Sequence, residues 1–111
     1  MKPEHKIKWI ADLRSGEYQQ GKGLLCSMYN NIKKYCCLGV LLEGTLNIKP
    51  IPTAMNDLNH IIFRYDDSCH SLSNKFQQAI QLDFHDISIL TNMNDQDITF
   101  NQIADYIEVN F

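Results

Sequence analysis

Four cysteines and four histidines hold most of the side-chain chemistry in this chain of 111 residues: Cys26, Cys36, Cys37 and Cys69, with His5, His60, His70 and His85. A structural zinc site takes four Cys or His ligands, usually supplied as close pairs such as Cys-x-x-Cys. The sequence has no such pair and no His-x-x-x-His. Adjacent side chains on a strand point to opposite faces, so Cys36 and Cys37 grip one ion poorly there. No metal and no cofactor is expected. A nucleophilic role is conceivable for Cys37, which stands where a strand is expected to meet the N-terminus of a helix over 38–46; that setting lowers a thiol pKa. The general base would come from His60, His70 or His85. Against this, Leu38, Val40, Leu41 and Leu42 follow directly, and free Cys is among the most buried residue types. Buried core thiols are the preferred reading, and a Cys37-dependent enzyme ranks below a binding role. A calcium loop starting at Asn92 fails, because its sixth and twelfth positions, which want Gly and Glu, hold Asp97 and Ile103. Asn94 and Asp95 read as a turn between two helices.

The stretch from Arg14 to Gly23 offers different chemistry. Gly21-x-Gly23 is no phosphate loop, since no Gly-Lys-Ser/Thr follows. Yet Arg14, Gln20 and Lys22 are polar donors, and Gly21 and Gly23 let a ligand approach backbone N–H groups closely. Tyr18 and Tyr35 are the aromatics expected to close a pocket there. These seven residues are the candidate ligand-binding set, and no catalytic residue is assigned. The plain alternative is an irregular edge strand with solvated polar side chains.

Charge narrows the partners. Residues 1–34 hold seven Lys/Arg against three Asp/Glu, whereas Phe76 onwards has six acids and no Lys or Arg. General nucleic-acid binding, which needs phosphates neutralised by Lys and Arg, is not expected of a chain with net charge −3. A local anion pocket in the basic half fits, as does an acidic face that meets a basic partner. No apolar run reaches the roughly 20 residues of a membrane span. With no apolar signal-peptide centre near the start, the expected location is the cytoplasm, where the four cysteines stay thiols.

The elements that must position these residues follow from spacing. Pro3, Glu4 and Gly16 bound a helix over 3–14, with Ile7, Ile10 and Leu13 on one stripe and Trp9 partly buried beside it. Leu24, Cys26 and Met28 alternate as a strand, Asn30-Asn31 make a turn, and Ile32 to Cys36 return, giving a hairpin near residues 18–36. His60 to Tyr65 supplies a third strand. LGVLLEGTLN reads as a short buried helix broken near Gly44, and Pro50 and Pro52 open a loop in the turn-rich segment 47–70, which carries Asn56, Asp57, Asn59, Asp66 and Asp67. A helix capped by Ser71 or Ser73 comes next, then one capped by Asp83 that buries Phe84, Ile87 and Leu90. Thr99 and Gln102 form a capping box, with Ile98 and Ile103 at the staple positions of a final helix. The fold expected is a single α+β domain over 1–111, with four to five short helices around a small antiparallel sheet.

Three segments, WIADLRSGEYQQGKGLL, YCCLGVLLE and LTNMNDQDITFNQIADYIE, occur in this order. Together they resemble an uncharacterised group of small phage and bacterial proteins; residues 47–82 match nothing in it. The resemblance brings no reaction and no catalytic residues. It implies a phage accessory context in the host cytoplasm, where such proteins often antagonise defence by sequestering a nucleotide messenger or by binding a host protein. The expected function is therefore binding of a small, nucleotide-like ligand without chemistry. The alternative is an interaction module that inhibits a host protein through its acidic C-terminal region.

Overall fold

The computed structural model describes residues 1–57, 60–66 and 68–111. Helix α1 spans Pro3–Arg14, with Glu4 at its positive end and Gly16, at φ +78°, just past its stop. Trp9 is completely buried and its indole N–H donates to the Cys37 carbonyl at 3.0 Å. That exceeds the partial burial expected and leaves the ring no face for a ligand.

Strand β1 (Gln19–Gln20) is followed by β2 (Cys26–Tyr29) and β3 (Ile32–Tyr35), the last two forming the expected hairpin. Asn30 and Asn31 turn it at φ 50° and 66°. Two consecutive left-handed residues match the twist of the strands a two-residue loop joins. The strands are shorter than the alternation implied: Leu24 lies outside β2, and Cys36 is the extended residue before helix α2 (Cys37–Val40), which runs on as a π-helical turn over Leu41–Thr45. Helical structure thus ends just past Gly44, as expected.

The loop predicted around Pro50 and Pro52 is instead strand β4 (Ile51–Asp57), paired antiparallel with β5 (His60–Arg64). Pro52 is tolerable there because β4 is an edge strand whose missing ladder donor costs little. Asn59 and Asp67, read as turn residues, lie outside the described residues. The sheet runs β1-β3-β2-β5-β4. It is mixed, not purely antiparallel. The segment 21–25 reverses the chain between β1 and β2, so β1 lies parallel to β3, with Gln20 opposite Tyr35.

Three helices complete the fold: α3 (Asn74–Ile80), α4 (Phe84–Asp95) and α5 (Phe100–Asn110). Asp83 with Asp86, and Thr99 with Gln102, make reciprocal capping boxes for α4 and α5. Ser73 occupies the cap position of α3, but its hydroxyl caps nothing. Two expectations fail in α4. Phe84 is 72% exposed instead of buried; as the first helical residue its side chain leans back past the helix start, off the core. Asn94 is no turn residue: it stands in the last turn of α4, completely buried beside Ile87 and Leu90. The core gathers Trp9, Leu38, Leu41, Leu90, Ile103 and Ile107, with α1 packed on α5 and α2 on α4.

Candidate functional site

Two amides organise the centre of the molecule. The Gln20 side chain donates to Asn94 Oδ1 at 3.0 Å and to the Ile98 carbonyl at 2.7 Å, and accepts from the Phe100 N–H at 3.1 Å. Asn94 Oδ1 also accepts from the Cys37 N–H at 3.2 Å, while its Nδ2 donates to the Gly21 carbonyl at 2.7 Å. One buried side chain thereby ties α4 to the start of α2 and to the segment after β1. Buried polar groups persist only when partnered, and every group in this cluster is.

The cluster divides the seven sequence-named residues. Arg14, Tyr18 and Gln20 share a cavity of about 240 Å³ whose opposite wall is the first turn of α5, through Thr99, Phe100 and Asn101. Gly21, Lys22 and Gly23 do not line it. Gly21 pairs with Tyr35 through its N–H at 2.7 Å, and a Cβ there would meet that of Lys34 at 2.9 Å, so the glycine serves a close strand contact. Lys22 forms an ion pair with Asp97. The Gly23 peptide binds two side chains at once, its N–H donating to Asp95 Oδ1 at 3.1 Å and its carbonyl accepting from His70 Nδ1 at 3.0 Å. Tyr35 is buried in contact with Tyr18, the two rings edge-on with centroids 5.1 Å apart.

Arg14 does not stand alone in its cavity. Its guanidinium reaches Asp105 at 2.6 Å and Glu108 at 3.1 Å, both exposed on α5. Lys6 donates to the Glu108 carbonyl at 3.0 Å. The basic and acidic ends of the sequence therefore face one another across the α1–α5 contact.

Glu43, Lys33 and Tyr65 form a second polar cluster that sequence reasoning passed over. Both Tyr35 and Tyr65 donate their hydroxyls to the Glu43 carboxylate, and Lys33 Nζ reaches it at 3.2 Å. Burial, followed by the hydrogen bond to Glu43, pushes the Tyr35 pKa well up; burial, followed by Cys26 and Glu43, does the same for Tyr65. The available signal was Glu43 itself, a lone carboxylate inside LGVLLEG that must find partners to be buried. For Asn94 the signal was its place seven residues after Ile87 on the buried stripe of α4.

The cysteines are free thiols, and only Cys69 is not buried. Burial raises the Cys37 pKa well above its ordinary value, and its Sγ donates to the Leu90 carbonyl at 3.7 Å. The helix terminus does not activate this thiol, because desolvation outweighs the dipole. Among the described residues no cluster of three His, Cys, Asp or Glu could hold a metal, and no helix is long and apolar enough to cross a membrane.

Residues 1–57 match the family model described as Domain of unknown function (DUF8296), half of the chain, and the chain belongs to that family. The match includes WIADLRSGEYQQGKGLL and YCCLGVLLE, whereas the ITFNQIADYIE segment lies beyond it. No curated protein and no solved structure matches the chain.

Proposed function

We propose that this member of the DUF8296 family is a phage-type accessory protein that holds a small anionic, nucleotide-like ligand without transforming it. The observation carrying this reading is the convergence of Arg14, Tyr18 and Gln20 on one cavity closed by the first turn of α5. Guanidinium presents a planar fork suited to phosphate, and a helix start adds a partial positive charge. The exposed pairs of Arg14 with Asp105 and Glu108 are each worth only about 0–1 kcal/mol, so a phosphate can take the guanidinium from them. At about 240 Å³ the cavity falls below the roughly 300–1,000 Å³ of drug-sized sites, so it fits a phosphate with part of a nucleotide. Burial of Cys37 supports binding without chemistry, and the free thiols fit action in the host cytoplasm. The other reading, inhibition of a host protein through the acidic C-terminal segment, rests on charge alone.

Native mass spectrometry of protein fresh from its expression host, repeated after denaturation, tests the proposal. A mass excess lost on denaturation is expected, and Arg14→Ala should weaken ligand retention about 10–100-fold, the worth of one charge-assisted hydrogen bond. Lys22→Ala, outside the cavity, should leave it unchanged within about twofold. Retention that survives Arg14→Ala counts against the site.

A further inference from the structure

A second cleft shares no lining residue with the Arg14 cavity. Phe84, Ser88, Thr91, Asn92 and Asp95 recur at helical spacing along one face of α4, and together with His70 they border a cavity of about 270 Å³. We propose that this cleft binds a neutral monosaccharide ring.

Three features point to that ligand. Phe84 is 72% exposed at the cleft, a large aromatic surface left in water that the apolar C–H face of a sugar ring can cover. The hydrogen-bonding groups are held in place before any ligand arrives. Gly23, at φ +78°, a conformation L side chains rarely adopt, presents its peptide to both His70 and Asp95. Because the Gly23 carbonyl can only accept, His70 Nδ1 donates to it, which fixes the ring and leaves Nε2 as its remaining polar atom. Among the described residues the hydroxyls of Ser88 and Thr91 have no partner, so they too can serve a polyol that both donates and accepts. Charge selects within that chemistry. Among the described residues the cleft has the Asp95 carboxylate and no Lys or Arg, which turns phosphorylated and carboxylated compounds away. Its volume suits one ring.

The site stands apart from the anion-binding reading, and its test involves none of that cavity's residues. Saturation-transfer NMR is run with glucose, galactose, mannose, ribose and N-acetylglucosamine against the intact protein, then against Phe84→Ala and Ser88→Leu. At least one sugar should show transfer. Phe84→Ala, which leaves the core untouched, should weaken it about fivefold or more, and Ser88→Leu, which fills the cleft, should abolish it. Urea midpoints of both variants near that of the parent show that folding is not the cause. No transfer from any of the five sugars overturns the proposal, as does transfer that survives both substitutions or a preference for glucose 6-phosphate over glucose.

Discussion

Replacing Asn94 tests the central hub directly. In Asn94→Ala three hydrogen bonds disappear, from Gln20, from the Cys37 N–H and to the Gly21 carbonyl. The Cys37 N–H belongs to a completely buried residue and remains desolvated without a partner, whereas Gly21 is half-buried. A net hydrogen bond is worth about 1 kcal/mol, so the two lost at Gln20 and Gly21 cost about 2 kcal/mol; the stranded Cys37 N–H adds about 1–3 kcal/mol, which together give about 3–5 kcal/mol. That is a large share of the 5–15 kcal/mol typical of a whole domain. Urea titration should show a lower midpoint with an unchanged m-value. Asn94→Asp is the sharper probe. As a neutral acid it can still donate to the Gly21 carbonyl; as a carboxylate it faces that oxygen with a buried charge. Burial raises its folded pKa above the unfolded value of about 4. Its stabilising contribution is therefore fully present below about pH 4 and is lost as pH rises through the folded value. The deficit relative to the parent should grow between about pH 4 and pH 7. An alanine variant that loses less than about 1 kcal/mol, or an aspartate variant with equal deficits at both pH values, would refute the account.

Two further predictions rest on burial. Intact-mass analysis after brief alkylation should find one adduct, at Cys69, and four only after unfolding. Burial pushes the Cys26 and Cys36 thiols up to about 11, so the stability they lend is complete below the ordinary value of 9.0 and declines as pH rises from there through about 11; a denaturation series across that window should show it. At Gly39 an added Cβ would sit 1.9 Å from the Leu25 carbonyl oxygen. Gly39→Ala should therefore cost about 1–3 kcal/mol or more by overpacking, read from the same urea midpoint.

What could be read from the sequence was what is local. Both helix starts at Asp83 and Thr99, the stop at Gly16 and the Asn30-Asn31 turn depend on residues within a few positions of one another. Arg14, Tyr18 and Gln20 reached a common cavity because they lie within seven residues, but its other wall, α5, was invisible from that stretch. Asn94 was misread because its partners lie 57 to 74 residues away, and a single Asn with turn-like neighbours carries no sign of them. Phe84 and β4 failed for a related reason. Hydrophobicity marked Phe84 for the core without regard to its place at the helix start, and two prolines suggested a loop where an edge strand accepts one.

The contact between α1 and α5 also bears on time. A ribosome adds about 5–20 residues per second, so helix α5 is finished roughly 3–10 seconds after the family-matched segment 1–57 is complete. The β2–β3 hairpin can close within about 10 microseconds. Yet Trp9's helix has no α5 to pack on during those seconds, and the Cys37 N–H and Gly21 carbonyl have no Asn94. The half of the chain by which the family is recognised is thus the half made first and completed last. For those seconds its apolar surfaces are open to chaperones and to other nascent copies.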